Sequence, residues 1–193
     1  MLGILFLLPT VSSAQSTILV FGDSLSAGYG IPREAAWPSL LQAELQKSHP
    51  HYKVINASIS GETTSGGLRR LPAALKEHNP NIVIIELGAN DGLRGTKLAL
   101  TDKSLAALIR QSQKSGAKVL LLGMQLPPNY GIDYAKRFKA LYPKLAQRYQ
   151  TELVGFMLEG VEPNEFQADN LHPVSEAQPK ILRTVMRKLK PML

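Results

Sequence analysis

The sequence ILVFGDSLSAGYG, residues 18–30, holds the transition from which the fold prediction starts. Residues 18–21 form a short apolar run of β-prone side chains, which predicts a fully buried strand. Gly22, Asp23 and Ser24 then predict a turn, because glycine and small polar residues interrupt regular structure. Ligands of open α/β sheets bind at the carboxyl ends of the strands. A serine at this position is therefore a candidate nucleophile, although a lone Gly-Asp-Ser is more often an ordinary loop.

Strand and helix patterns alternate along the rest of the chain. Further apolar, β-prone runs at residues 54–55, 82–85, 119–122 and 153–156 predict four more strands. Apolar side chains at helical spacing predict the helices between them: Trp37, Leu40, Leu41 and Leu45; Leu68, Leu71 and Leu75; Leu105, Leu108 and Ile109; Tyr134, Phe138, Leu141, Tyr142 and Leu145; Ile181, Leu182, Val185 and Leu189.

Two local signals refine this prediction. Residues 126–131, LPPNYG, predict an irregular loop, since two prolines and a glycine disfavour regular structure. Ser175, followed by Gln178 three residues later, has the spacing of a capping box and predicts the start of the last helix. The alternation as a whole predicts an α/β fold, a three-layer α/β/α sandwich around a parallel sheet of about five strands. With 193 residues, we expect a single domain over residues 17–193.

Composition excludes several classes of site. The chain has no cysteine, so it has neither disulfides nor a thiolate nucleophile or metal ligand. Its four histidines make a zinc site conceivable, but no pair has ligand spacing beside other ligands. The net charge of +7 could suit nucleic acid or an anionic membrane. However, the basic residues are scattered and no nucleic-acid-binding motif is present, so we expect no nucleic-acid partner.

Residues 1–14, MLGILFLLPTVSSA, carry no charged side chain and contain an apolar run. Ser12 and Ala14 place small residues at the two positions that an export peptidase reads, so this segment resembles a secretory signal peptide. The basic residues expected at the start of such a signal are missing. We therefore interpret residues 1–14 as the remnant of a signal peptide and leave them out of the fold prediction.

Asp169 and His172, three residues apart near the end of the chain, could supply a general base. A carboxylate bound to Nδ1 of an imidazole fixes its tautomer and stabilises the imidazolium that forms when Nε2 takes a proton. Serine needs such a base to become a nucleophile, and the tetrahedral intermediate of ester hydrolysis needs donors for its oxyanion. The backbone N–H groups of Ser24 and Gly61, together with the side-chain amide of Asn90, are candidate donors.

Four motifs in this order resemble the blocks of the SGNH (GDSL-type) hydrolases: Gly22-Asp23-Ser24-Leu25-Ser26, Gly61, Gly88-Ala89-Asn90-Asp91 and Asp169-x-x-His172. Longer stretches at residues 36–38, 56–61, 90–95 and 126–131 are similar to the bacterial multifunctional thioesterase/protease/lysophospholipase (arylesterase) subfamily. The resemblance covers essentially the whole chain after residue 16. Ala89 departs from the pattern, since this block often carries a second glycine.

The resemblance implies a role for each matching residue. Ser24 would be the nucleophile, His172 the base and then the acid, and Asp169 its orienting partner. Ser24, Gly61 and Asn90 would form the oxyanion hole. It also implies a flavodoxin-like fold, no metal or organic cofactor, and a periplasmic or secreted enzyme. The implied reaction is hydrolysis of acyl esters, among them aryl esters, lysophospholipids and acyl thioesters, through an acyl-enzyme on Ser24.

An acyl-binding groove is a further hypothesis. Leu93, Leu126, Pro127 and Tyr130 could form its apolar wall, and Arg94 could meet a polar head group. The expected partner is then a small acyl ester or thioester, with at most transient contact with membrane lipid, and we expect a monomer. Two alternatives stay open: a carbohydrate O-deacetylase with the same triad and a more polar pocket, and a non-catalytic flavodoxin-like binding module.

Overall fold

The computed structural model describes residues 15–193, which form a five-stranded parallel sheet. The strand order is β2-β1-β3-β4-β5, the flavodoxin-like order, and every neighbouring pair is parallel. The strands are β1 Ser16–Gly22, β2 Tyr52–Asn56, β3 Ile82–Glu86, β4 Lys118–Leu122 and β5 Glu152–Val154. The predicted fold class is therefore confirmed, and each of the five predicted strands is present.

Helices cover both faces of the sheet. They are α1 Ser24–Ala27, α2 Trp37–Ser48, α3 Thr64–His78, α4 Ala89–Leu93, α5 Leu98–Lys114, α6 Ile132–Lys139, α7 Leu141–Tyr149 and α8 Gln178–Leu189. Helix α2 packs against α8, while α3 packs against α5 and α5 against α7. The crossover from β1 to β2 runs in one direction along the sheet, and those from β2 to β3 and from β3 to β4 run in the other. Right-handed crossovers in opposite directions place their helices on opposite faces, so the two groups lie on opposite sides of the sheet.

The centre of the sheet determines where a ligand can bind. All five residues of β3 are buried, as are the last five of β1. The chain leaves β1 toward β2 on one side, while β3 lies on the other side of β1. This reversal of strand order opens a crevice at the carboxyl ends of β1 and β3, which is the usual ligand site of a doubly wound sheet.

One predicted helix is divided in two. The apolar stripe at residues 134–145 predicts a single helix, but the structure has α6 and α7, separated at Ala140. Pro143 explains the break, because its ring would clash with the carbonyl of Lys139 in a continuous helix and it has no N–H to donate. In the first turn of α7 the proline is tolerated.

The predicted start of the last helix is also wrong in detail. Residues 175–177 form a 3₁₀ turn, and α8 begins at Gln178 without a side-chain cap. The Gln178 side chain instead accepts a hydrogen bond from the backbone N–H of Trp37, at 3.1 Å. The capping box therefore does not form, because its glutamine is used to join α8 to α2. Likewise, Pro128–Tyr130 forms a 3₁₀ turn within the loop that we predicted to be irregular.

The interpretation of residues 1–14 lies outside the described residues. Within residues 15–193, the helices are too short or too polar for any of them to cross a membrane.

Candidate active site

Ser24 is the first residue of α1, directly after β1. The turn is fixed by Asp23, whose Oδ1 accepts the N–H of Leu25 at 3.1 Å and so caps the helix. Gly28 ends this single turn in the left-handed conformation, with φ 78°. Ser24 is therefore held at the carboxyl end of a buried strand, at the edge of the crevice.

His172 and Asp169 complete a hydrogen-bonded chain with Ser24. Nε2 of His172 lies 2.8 Å from Oγ of Ser24, and Nδ1 lies 2.6 Å from Oδ2 of Asp169. The other carboxylate oxygen, Oδ1, accepts the backbone N–H groups of Leu171 at 2.9 Å and His172 at 3.0 Å. Asn170 adopts the left-handed conformation that lets this short turn close, with φ 55°.

Asp169 is held in its charged form. Its partial burial acts to raise its pKa, but hydrogen bonds from the His172 ring and from the backbone of His172 and Leu171 outweigh this and lower the pKa to about 2. An ionised carboxylate at Nδ1 keeps the proton on that nitrogen and leaves Nε2 free to accept one. The arrangement therefore places a general base beside the Ser24 hydroxyl.

Two residues that the sequence analysis missed support His172. The ring of Tyr29 lies against the imidazole, with 4.6 Å between ring centroids. Gln167 donates from its side chain to the carbonyl of Tyr29 and from its backbone to the carbonyl of His172, both at 2.8 Å. These contacts join the loop after β1 to the loop that carries the base. No local motif marks either residue, because each acts through a contact between segments far apart in sequence.

The candidate oxyanion donors come together at the same edge. Among residues 15–193, the backbone N–H groups of Ser24 and Gly61 donate to no protein acceptor. The Asn90 amide nitrogen donates to Oδ2 of Asp23 and to the carbonyl of Glu62, both at 3.0 Å. Both acceptors require a donor, so they determine that the nitrogen of the amide, and not its oxygen, faces Asp23 and Glu62.

The loop that carries Gly61 is joined to the Asn90 turn by Asp91. This buried carboxylate accepts the backbone N–H of Thr64 at 2.8 Å and its hydroxyl at 2.6 Å, at the start of α3. The preceding Gly88 has φ 117°, and a Cβ there would lie 2.4 Å from the Tyr142 hydroxyl. Glycine is therefore required at position 88, whereas the alanine at position 89 is the first residue of α4.

A second carboxyl group lies beneath the Ser24 turn. Glu86, the last residue of β3, is paired in register with Gly22 and is fully buried, as is Asp23. Burial raises the pKa of Asp23 to about 6. Burial and then the charge of Asp23 raise the pKa of Glu86 well above its usual range. Gly22 leaves room for this group, since a Cβ at position 22 would lie 2.5 Å from Glu86 Oε2.

A pocket of about 420 Å³ opens above the Ser24 hydroxyl. Of the residues predicted to form an acyl groove, Leu93, Leu126 and Pro127 line it, whereas Arg94 and Tyr130 lie outside its lining. Arg94 donates instead to the carbonyl of Gly61, at 3.2 Å. Much of the lining was not predicted from the sequence: Leu25, Tyr29, Ser60, Met124, Gln125, Phe156, Leu158, Phe166, Asn170 and Leu171.

The apolar part of this lining belongs to loops that follow several strands. Met124 and Leu126 follow β4, and Phe156 and Leu158 follow β5. The sheet order determines where these loops lie. Apolar side chains within otherwise irregular loops are therefore the one sequence signal that could have indicated these lining residues. The pocket thus combines these apolar side chains with the polar groups of Ser24, Asn90 and His172.

A protein-family model and individual known proteins both match this chain over most of its length. The family model of GDSL-like lipases and acylhydrolases matches residues 20–178. The chain is 48% identical over 186 residues to the esterase TesA of Pseudomonas aeruginosa, covering 95% of this chain and 92% of TesA. It is 43% identical over 191 residues to thioesterase 1/protease 1/lysophospholipase L1 of Escherichia coli K12, covering 98% of this chain and 90% of that protein.

The fold of this chain also matches that of a solved structure. A crystal structure of TesA superimposes with a TM-score of 0.90 at 49% identity, covering 92% of this chain and 100% of TesA. A relative of this identity, matched over nearly its whole length, establishes the family together with the family model. The chain belongs to the GDSL-like lipase/acylhydrolase family and is an esterase of that family.

Proposed function

We propose that this esterase works through an acyl-enzyme on Ser24. The Ser24 oxygen attacks the carbonyl carbon of the ester while its proton passes to Nε2 of His172. The tetrahedral intermediate then collapses, and His172 gives the proton to the departing alcohol or thiol. Water next attacks the acyl-enzyme with the same base, which releases the carboxylic acid and regenerates the Ser24 hydroxyl. The contact that carries this proposal is the 2.8 Å hydrogen bond between Ser24 and His172.

The oxyanion hole in this proposal consists of Ser24 N–H, Gly61 N–H and the Asn90 amide. The first two donors have no protein acceptor among the described residues, so they are available to a substrate oxygen. The Asn90 amide already donates twice, to Asp23 and to the Glu62 carbonyl. Hydrogen bonds to a charged acceptor are stronger than those to a neutral carbonyl. We therefore expect Asn90 to keep its bond to Asp23 and to share with the oxyanion the N–H that faces Glu62.

The apolar pocket supports substrates with a medium or long acyl group. The pocket volume of about 420 Å³ lies within the range of small-molecule sites, and Leu126 and Phe156 supply the surface that a hydrocarbon chain needs to leave water. The E. coli relative's name includes thioesterase and lysophospholipase activities. We propose acyl thioesters, lysophospholipids and aryl esters as the substrate class of this chain as well.

Exposed apolar side chains in segments that follow the strands fit this substrate class. Tyr29 and Leu171 line the pocket, and Ile59, Tyr130 and Ile132 follow β2 or β4, whose carboxyl ends lie at the same edge of the sheet as Ser24. Ile132 is 82% exposed. Large apolar groups grouped at one edge favour contact with lipid. We propose transient contact of a monomeric enzyme with lipid during substrate uptake, in a periplasmic or secreted setting that the leader-like residues 1–14 favour.

A chain-length series of p-nitrophenyl esters, from acetyl to palmitoyl, tests the proposal on the wild type and on Ser24→Ala. We expect kcat/KM to rise toward medium or long acyl groups and to disappear in the variant. Activity confined to the acetyl ester but still dependent on Ser24 would keep the nucleophile and indicate a deacetylase. Equal activity in both proteins would contradict the acyl-enzyme. Mass spectrometry of the variant and wild type after mixing with ester checks for the acyl adduct directly.

A further inference from the structure

Glu86 is a buried carboxyl group beneath the nucleophile that the mechanism above does not use. It ends β3, is fully buried, and does not line the pocket. It therefore cannot touch a substrate. An isolated buried carboxylate costs several kcal/mol, so such a group is retained only where its surroundings satisfy it or change its charge.

The two groups that donate hydrogen bonds to Glu86 lie on either side of Ser24 in the sequence. Its Oε2 accepts the backbone N–H of Asp23 at 3.1 Å and the hydroxyl of Ser26 at 2.8 Å. These donors precede and follow Ser24 by one and two residues. Glu86 thus ties the turn that carries the nucleophile to the end of β3, four residues before Asn90.

The hydrogen-bond pattern distinguishes the two carboxyl groups. The carboxyl groups of Asp23 and Glu86 are close enough for each to shift the pKa of the other, which favours one shared proton over two negative charges. Each oxygen of Asp23 accepts an N–H, from Leu25 or Asn90. Oε1 of Glu86 has no donor within residues 15–193. The negative charge is therefore best satisfied on Asp23 and the proton on Glu86.

We propose that Glu86 is a positioning residue that acts as a neutral acid: it donates its proton in a hydrogen bond to the Asp23 carboxylate, which in turn holds the Asn90 amide at the oxyanion hole. The proposal rests on the oxyanion role assigned to Asn90 above. It explains why a glutamate is accommodated at the cost of leaving position 22 without a side chain.

The surroundings of the pair favour a single negative charge. A positive charge on His172 would favour an ionised Asp23. Tyr142 and Asp91 also face the site, and the Tyr142 hydroxyl is buried and donates to the Leu87 carbonyl at 3.1 Å. Burial and the charge of Asp23 raise the pKa of Glu86, which agrees with a protonated side chain.

Two substitutions of Glu86 distinguish a neutral acid from a carboxylate or from a side chain that only fills space. Glutamine reproduces the pattern of a protonated glutamate, with one oxygen to accept and one N–H group to donate. Leucine keeps the volume but offers neither. Glu77→Gln, at an exposed glutamate of α3, is the matched control for the change of charge. Titration of each protein with a fluorophosphonate that labels Ser24 gives the fraction of competent sites, so kcat refers to folded enzyme alone.

We expect Glu86→Gln to keep kcat within about threefold of the wild type and Glu86→Leu to lose about 10- to 100-fold in kcat at nearly unchanged KM, as expected when a transition-state contact is misplaced. The infrared band of a protonated carboxylic acid should be present in the wild type and absent in Glu86→Gln. Equal losses in the two variants, or a wild-type kcat in Glu86→Leu, would overturn the proposal. Loss of turnover in Ser24→Ala is independent of these results and tests the acyl-enzyme separately.

Discussion

Replacing Asn90 by alanine tests the oxyanion hole most directly. The variant removes one of three candidate donors and leaves Ser24 N–H and Gly61 N–H in place. Loss of a single donor of this kind costs about 2.7–4 kcal/mol in the transition state, which corresponds to a fall in kcat of about 100- to 1,000-fold. We expect KM to change little, because the substrate carbonyl gains this contact mainly as negative charge develops on its oxygen.

The same substitution has a separate effect on stability. In the folded protein the amide donates to the Asp23 carboxylate and to the Glu62 carbonyl, both at 3.0 Å. A hydrogen bond to a charged group contributes about 1.5–3 kcal/mol and one between neutral groups about 0.5–1.5 kcal/mol. Asn90 lines the open pocket, so water can replace much of both. We therefore expect the free energy of unfolding to fall by about 1–2 kcal/mol, well short of what would empty the native state.

The assay combines steady-state kinetics on p-nitrophenyl butyrate, urea unfolding, and binding of an arylboronic acid. The boronate forms a tetrahedral adduct with the serine, and its anionic oxygen occupies the oxyanion hole. Its affinity should therefore weaken in parallel with kcat/KM. Asn164→Ala, at an exposed asparagine in the 3₁₀ turn Pro163–Glu165, is the control. A kcat within tenfold of the wild type, or unchanged boronate affinity, would refute the role of Asn90.

Three further predictions concern the other buried and charged groups of the site. Asp169→Asn should lower kcat by about 10⁴-fold in the same ester assay, because the oxygen that accepts two backbone N–H groups leaves the new amide facing Nδ1 and selects the wrong imidazole tautomer. Gly22→Ala should destabilise the protein in urea by about 1–3 kcal/mol, since its Cβ would lie 2.5 Å from the Glu86 carboxyl, whereas Gly155→Ala, with nothing within 4 Å, should be nearly neutral. Burial raises the pKa of Asp23 to about 6, so the folded protein holds this proton more tightly than the unfolded chain does. The free energy of unfolding should therefore fall by up to about 3 kcal/mol through Asp23 as the pH rises from about 4 through 6. Asp23→Asn should show a smaller fall, to which Glu86 still contributes because its pKa is also raised. A slope in the variant equal to that of the wild type would contradict this assignment.

The candidate catalytic residues could be found from sequence because each has a local signature. Ser24 and Asn90 follow apolar runs that form buried strands, and glycine-containing turns come directly after these strands. Asp169 and His172 lie three residues apart and bind each other within one turn. Parallel strands bring such turns to one edge of the sheet. The sequence thus indicated both the fold and the residues that meet at this edge. Ser24 and His172 could be expected to meet there although 148 residues separate them.

The supporting residues could not be predicted, because their roles depend on contacts across the fold. Tyr29 and Gln167 belong to unremarkable loops and meet only when the loop after β1 approaches the loop of His172. Glu86 ends an apolar run, where a charged residue is expected to reach solvent. It is buried because the register of β1 and β3 places it opposite Gly22, the one residue type that leaves space for its carboxyl group. Such register is a property of paired strands and has no signature in either strand alone.

The buried acid Asp23 links the stability of the fold and the proposed activity to the same ionisation. Asp23 costs stability when it is ionised, since burial raises its pKa to about 6. Yet its negative charge is what strengthens its hydrogen bond to the amide of Asn90. Ionisation of Asp23 therefore lowers the stability of the fold and, in the proposed mechanism, favours turnover. Active sites often lose stability in exchange for function. Here the loss of stability arises from one pair of carboxyl groups, Asp23 and Glu86, where the ends of β1 and β3 meet.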